Sequence, residues 1–164
     1  MGENVKETLD YIEDAHAMEE NSLQMVNSML MHTKDPEMRE ILEHHVEETK
    51  QHKNRLKGKL ESSGEGTIAT KRGGALVSAM FKGVVDQVRT EKPSKDARDG
   101  YLNEQLEIAS YELLSRLAER AGDYETVEIA TANLADEKMM ADKIASKWDK
   151  VIDLTLAEKE DAQS

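Results

Sequence analysis

The sequence of 164 residues contains no cysteine, only two prolines and one phenylalanine, and aromatic residues make up 4% of it. Without cysteine the chain forms no disulfide, thiolate nucleophile or iron–sulfur ligand set, and it fits a reducing compartment. It has no apolar stretch of about 18 residues and no signal-peptide core near its start, so we expect a soluble, cytoplasmic protein. Neither a Gly-x-Ser-x-Gly elbow nor a phosphate-binding glycine loop is present, which disfavours hydrolases and nucleotide-binding proteins.

The chain also lacks a basic cluster. Its formal net charge is −12, and binding to nucleic acid phosphates requires a basic face. An acidic balance suits attraction of metal cations, although most acidic proteins are simply soluble. We therefore expect no nucleic acid partner and treat metal ions as candidate partners.

Apolar residues recur at alternating spacings of three and four, which is the pattern of amphipathic helices. The pattern predicts four long helices at about 4–32, 36–62, 95–121 and 124–156, and a short apolar helix at 75–89. Short turns join the long helices in pairs, and one long connection separates the pairs. This predicts an all-α, ferritin-like four-helix bundle with one long crossover, as a single domain spanning residues 1–164.

Each long helix carries a carboxylate on its apolar stripe near mid-length, namely Glu19, Glu48, Glu107 and Glu137. Burying one glutamate costs on the order of several kcal/mol unless something compensates, and four together repel one another. For a single glutamate, an ion pair with Lys or Arg at the bundle edge is the commoner arrangement. Four at matching depth favour a cation between the helices.

Two histidines accompany these carboxylates. His45 and His52 flank Glu48 at spacings of three and four, so all three project from one helical face. Imidazole nitrogen with carboxylate oxygen suits iron or manganese, and also zinc. His52 fits a metal ligand and a residue of the bundle rim equally well. Tyr111 lies one turn after Glu107 and either donates to a ligand carboxylate or simply packs.

The positions around these residues are also predicted. On the third helix, Leu102 and Leu113 are expected along one edge of the apolar arc, with Glu107 inside the arc and Glu104 at its margin. On the fourth helix, Trp148 is expected in the buried stripe. The short helix at 75–89 suits packing across the bundle or against a partner subunit better than a membrane surface.

Four stretches also resemble a known family. Residues 42–56, with His-His-Val-Glu-Glu-Thr, resemble a His-Leu-Glu-Glu-Thr segment, and residues 104–111, Glu-Gln-Leu-Glu-Ile-Ala-Ser-Tyr, are similar to a Glu-His-Tyr-Glu-Ile-Ala-x-Tyr motif. Residues 14–19 and 134–138 are shorter matches. The family is that of the YciE/YciF-type ferritin-like bacterial stress proteins, and the similarity covers essentially the whole chain.

The resemblance implies a ferritin-like fold, a homodimer, a di-metal site of the iron or manganese class and stress-linked expression. The chain departs from the family motif at Gln105, where histidine is common. It departs from the wider di-iron carboxylate class on the fourth helix, where Glu137 is followed three residues later by Met140 rather than histidine. A single metal or a carboxylate-rich pair therefore both remain open. The residues that the resemblance supports as site candidates are Glu19, His45, Glu48, Glu104, Glu107 and Glu137.

The first hypothesis is a stress-linked metalloprotein that performs oxygen or peroxide chemistry, with Glu48 and one of Glu104 or Glu107 bridging two metals. Its candidate ligands are Glu19, His45, Glu48, His52, Glu104, Glu107 and Glu137. The alternative is a metal-free helical dimerisation or adaptor protein whose buried polar residues form a network. Iron storage is a third reading, but nothing in the chain specifies a cage.

Overall fold

Capping residues mark the helix boundaries. The Asp35 carboxylate accepts a hydrogen bond from the backbone N–H of Met38 at 3.0 Å, and Pro36 occupies the first helical turn, where its missing N–H costs nothing. Gly122 ends another helix with φ of 73°, a left-handed conformation that favours glycine. Asp123 then caps the next helix through the N–H of Thr126 at 3.2 Å.

The computed structural model describes residues 2–64 and 92–161, and they form five α-helices with no strand among them. The predicted crossover helix at 75–89 lies outside the described residues. Among the helices of the described ranges, none is long and apolar enough to cross a membrane. The helices are α1 (Glu3–His32), α2 (Pro36–Ser62), α3 (Pro93–Ala121), α4 (Tyr124–Ala145) and α5 (Trp148–Asp161).

The first four helices form the predicted bundle. Helix α1 packs against α2 and α3, α3 packs against α4, and α2 contacts α4. Tight connections between α1 and α2 and between α3 and α4 make each pair an antiparallel hairpin. The prediction of an all-α, ferritin-like bundle is confirmed.

The fourth predicted helix is wrong in one respect, because it is not continuous to residue 156. It ends at Ala145, and α5 begins at Trp148 and packs against α3. At the break, the N–H of Lys147 donates to the Ile144 carbonyl at 2.9 Å, and the Ser146 hydroxyl donates to the Lys143 carbonyl at 2.7 Å. These bonds compete with the α-helical ladder. No glycine or proline marks this position in the sequence.

The rotation of α3 also differs from the prediction. Its buried face is centred on Glu104, Glu107 and Tyr111, so Glu104 is 1% exposed rather than at the margin. Two positions predicted as buried face outward, because Leu102 is 57% and Leu113 is 55% exposed. Trp148, also predicted as buried, is 38% exposed.

Two apolar clusters lie at different levels of the bundle. The first cluster packs the end where α3 meets α4 and contains Leu9, Ile12, Ala15, Met18, Leu56, Leu60, Tyr111, Leu114 and Ala130. The second cluster lies toward the α1–α2 turn and contains Ile41, Ala97, Met140, Ile144 and Val151. Along α2, α3 and α4, the buried carboxylates and histidines lie between these two clusters, and on α1 Glu19 directly follows Met18 of the first cluster. They form a polar layer across the middle of the bundle.

Candidate metal centre

The polar layer contains six of the seven candidate ligands predicted from the sequence. Each of the six side chains is no more than 3% exposed, although charged residues are seldom fully buried unless they are paired. All four bundle helices contribute to the layer. Its residues are Glu19 from α1, His45 and His52 from α2, Glu104 and Glu107 from α3, and Glu137 from α4.

Glu19, His52 and Glu137 form one group whose potential metal-binding atoms all lie within 4.8 Å of one another. His52 Nδ1 is 2.8 Å from Glu137 Oε1 and 3.4 Å from Glu19 Oε1. His52 Nδ1 and Glu137 Oε1 nevertheless make no hydrogen bond of acceptable geometry. The short distances without aligned bonds are what three ligands facing one shared cation would show.

His45, Glu104 and Glu137 form a second group on the same 4.8 Å criterion. His45 Nε2 is 3.0 Å from Glu104 Oε1. Glu137 belongs to both groups, so its carboxylate lies where one residue can bridge two cations. Glu48, to which the sequence assigned a bridging role, belongs to neither group.

Glu107 lies in the same layer but in neither group. Its Oε2 accepts a hydrogen bond from Asn103 Nδ2 at 2.9 Å, and Asn103 also donates to the Ser22 hydroxyl at 2.9 Å. Its Oε1 is buried without a hydrogen-bond partner. Asn103 thus fixes one oxygen of Glu107 and leaves the other facing the layer.

The structure does not bring Glu48 into the layer. The Glu48 side chain is 17% exposed, and its Oε1 lies 3.0 Å from Nε2 of His44. Thr49 takes the buried position on this face of α2, and its hydroxyl donates to the His45 carbonyl at 2.9 Å. Glu48 lies at the edge of that face because one residue turns a helix by about 100°.

Asp136 lies behind His52 and was not identified from the sequence as a site residue. His52 Nε2 is 3.0 Å from Asp136 Oδ2, whereas His52 Nδ1 faces Glu19 and Glu137. A carboxylate on the outer ring nitrogen fixes the tautomer and orientation of a metal-binding histidine. The sequence signal for Asp136 is its place beside Glu137.

A second supporting network holds Glu19. The Tyr111 hydroxyl donates to Glu19 Oε1 and accepts from Asn133 Nδ2 at 3.0 Å. Asn133 Oδ1 accepts in turn from Arg55 Nη1 at 2.7 Å. Of the two readings of Tyr111 from the sequence, donation to a candidate ligand carboxylate is the one observed. Asn133 and Arg55 were not identified from the sequence.

Mutual contacts raise the pKa of both histidines. Burial lowers the pKa of His45, but the charge and contact of Glu104 outweigh that effect and raise it to about 9. Burial likewise lowers the pKa of His52, and the contacts with Glu137 and Glu19 raise it to about 11. At neutral pH, both rings of the metal-free protein are therefore in the protonated, positively charged imidazolium form.

The pKa values of the buried carboxyl groups are also raised. Burial raises the pKa of Glu107 well above its ordinary value, and the charges of Glu137 and Glu19 add to the rise. Burial raises the pKa of Glu137 to about 7, against the opposing effect of His52, and it also raises the pKa of Glu19. Protons thus balance part of the buried charge when no cation does so.

The donor set fits a cation of the iron, manganese or zinc class. Carboxylate oxygens with imidazole nitrogens, and no thiolate, are the ligands that these metals take in helical bundles. Several of the buried polar atoms have no hydrogen-bond partner, although buried polar groups are nearly always paired. They include Glu19 Oε2, His45 Nδ1, Glu104 Oε2, Glu107 Oε1 and both carboxylate oxygens of Glu137.

Known proteins share this fold. A protein from Xanthomonas campestris pv. campestris is 28% identical, with a TM-score of 0.79 over 97% of this chain and 99% of that one. The Escherichia coli stress protein YciF is 20% identical, with a TM-score of 0.77 over 93% and 99%. YcfI, a putative structural protein from Rhodopseudomonas palustris, is 19% identical, with a TM-score of 0.73 over 88% and 94%.

These similarities confirm the predicted resemblance to YciE/YciF-type proteins. The likenesses to YciF and YcfI concern the fold, because their identities of 20% and 19% are low. The family assignment comes from the sequence itself, of which residues 8–157 match one family. The chain belongs to the family described as "Domain of unknown function (DUF892)".

Proposed function

We propose that this protein binds two metal cations of the iron or manganese class in its polar layer and acts in oxidative or general stress defence. The observation that carries the proposal is the sharing of Glu137 by two groups of buried ligands, each completed by one histidine and one further glutamate. A single salt bridge would need only one partner for Glu137. The match to the Escherichia coli stress protein YciF supports the link to stress.

The residues divide between binding and positioning. His45 and Glu104 would hold one cation and Glu19 and His52 the other, with Glu137 between them. Asp136 orients His52 and Tyr111 holds Glu19. The first apolar cluster packs the side of the layer that holds Glu19 and His52 and limits access of water there. Bound iron or manganese would supply the electrons for reduction of oxygen or peroxide.

Elemental analysis tests this proposal. The protein is purified without chelator, reconstituted anaerobically with Fe(II), Mn(II) or Zn(II), and desalted before measurement. We expect the protein to retain two iron or two manganese ions per chain. Competition with zinc then ranks the affinities of the three ions. A protein that retains none of the three ions after reconstitution would overturn the proposal.

The alternative function, a metal-free dimerisation or adaptor protein, makes a different prediction for Glu137→Leu. If the polar layer is only a structural network, this variant has unchanged or higher stability and no other defect. If the layer binds metal, the same variant loses the metal. The homodimer implied by the family resemblance belongs to both proposals, and light scattering of the purified protein tests it.

A further inference from the structure

A cavity of about 1110 Å³ opens at the α1–α2 end of the bundle. This volume lies just above the usual range for small-molecule pockets, about 300–1,000 Å³. Its walls come from α1, α2, α3, α4 and α5. They are mostly aliphatic, as at Val26, Met29, Ile41 and Ile144, and charged side chains that include Lys34 and Arg39 also line the cavity.

The floor of this cavity is part of the polar layer. His45 and Glu104 line it, and both side chains are no more than 3% exposed. Each also has a buried polar atom without a hydrogen-bond partner, namely His45 Nδ1 and Glu104 Oε2. A mostly apolar pocket with a few polar groups at one end is the usual form of a small-molecule site.

The two ligand groups differ in their access to the cavity. Glu19 and His52 are absent from its lining. On their side of the layer, the first apolar cluster packs the bundle, and Tyr111 from that cluster contacts Glu19 directly. Of the two groups, the one with His45 and Glu104 is therefore the one that borders the cavity, and Glu137 lies behind these two residues, outside the lining.

We infer that the cavity binds the aliphatic chain of a carboxylic acid, whose carboxylate reaches the metal position at His45 and Glu104. The inference rests on the proposed metal site. The aliphatic walls select the chain through burial of its methylenes. The floor selects the head group, because a carboxylate is an oxygen donor that suits such a cation. Without the cation, the carboxylate loses this contact.

Calorimetric titration of the full chain with hexadecanoate, dodecanoate, octanoate and hexadecanol tests this inference. We expect one hexadecanoate per metal-loaded chain, with affinity rising by up to about fourfold for each added methylene. Removal of the metal should lower the affinity for hexadecanoate by about tenfold or more, which corresponds to the loss of one carboxylate–metal contact. Hexadecanol, which lacks the charged head group, should bind more weakly and without regard to the metal.

Ala97→Leu and Ala109→Leu form a matched pair on α3. Ala97 lines the cavity, whereas Ala109 is exposed on the same helix. The same added atoms therefore fill the cavity in one variant and extend into solvent in the other. We expect Ala97→Leu to lower the affinity for hexadecanoate by about tenfold, because the larger side chain overpacks the occupied cavity. Its metal content should be unchanged. Ala109→Leu should match the unaltered protein in both measurements.

The outcomes separate this inference from the proposed function. If the protein retains two metal ions per chain but binds none of the fatty acids, only this inference is overturned. The same holds if Ala97→Leu and Ala109→Leu have equal effects on hexadecanoate binding. Hexadecanoate binding that does not depend on metal overturns the assigned head-group position. Absence of metal binding overturns both. Should Ala97→Leu fail to fold, the chain-length series on the unaltered protein decides the matter.

Discussion

His52 and Asp136 form a pair in which each ring nitrogen of the histidine has a distinct role. Nε2 of His52 lies 3.0 Å from Oδ2 of Asp136, and Nδ1 lies 2.8 Å from Oε1 of Glu137. Asp136 is half-buried while His52 is buried. The carboxylate that orients the ring is therefore outside the layer, and the nitrogen that can bind metal points into it.

Replacement of Asp136 tests this orientation. Asp136→Asn should lower metal affinity by about 10–100-fold, because the ring loses the partner that fixes its tautomer. Asp142→Asn is the matched control, since Asp142 is exposed on the same helix. Calorimetric titration with Mn(II) measures both variants. Equal affinities of the two variants would contradict the assigned role of Asp136.

The sharing of Glu137 predicts a difference in metal stoichiometry between two variants. Glu137→Gln should reduce bound metal from two per chain to none under desalting, because Glu137 belongs to both groups. His45→Ala should leave one, since Glu19, His52 and Glu137 remain. Glu128→Gln, at an exposed position of α4, is the control and should retain both. Elemental analysis gives the counts, and retention of both ions by Glu137→Gln would contradict the shared position.

The raised pKa values predict that the metal-free protein loses stability as pH rises. Glu137 favours the folded state below its ordinary pKa of 4.5, and that contribution is lost as pH rises through about 7. The contribution of His45 is present below 6.5 and lost as pH rises through about 9. Folding binds protons at both groups, so the free energy of unfolding falls over this interval.

Calorimetric melting with a chelator between about pH 5 and pH 9 measures this effect. Metal replaces the protons on the ligands, so the stabilisation on adding Mn(II) should be larger at the alkaline end. A melting temperature of the metal-free protein that rises across the interval would contradict the assignment of these protons to the polar layer.

Tyr111→Phe tests the support of Glu19. The change leaves Glu19 Oε1 without the donor hydroxyl and Asn133 Nδ2 without its acceptor. Unpaired buried polar groups of this kind cost about 1–3 kcal/mol each, so the free energy of unfolding in urea should fall by that order. Tyr124→Phe, at an exposed tyrosine, should have little effect. Equal unfolding midpoints would show that Tyr111 only packs.

The sequence predicts much of the bundle because helix caps and apolar stripes depend on residues close together in the chain. The caps at Asp35 and Gly122 and the apolar stripes place the boundaries of α1, α2 and α3 within two residues. The break at Ser146 could not be predicted in this way. It depends on side-chain bonding and on packing of α5 against α3, and neither leaves a glycine or proline in the sequence.

The sequence correctly predicts buried polar residues where one of them interrupts a long apolar stripe, as at Glu19 and Glu137. The prediction was less accurate where two neighbours compete for one face, because a stripe read from spacing has an uncertainty of about one residue, or 100° of rotation. Thr49 rather than Glu48 faces the layer for this reason. The supporting residues Asp136 and Asn133 depend on packing between helices, which spacing along one helix does not report.

Anomalous diffraction from crystals of the protein reconstituted with iron or manganese, recorded on both sides of the metal absorption edge, tests the central claim most directly. The account predicts two peaks per chain that share Glu137, one contacting His45 and Glu104 and the other contacting Glu19 and His52. A map without anomalous density in the polar layer, from crystals that contain the metal in their solution, would contradict it.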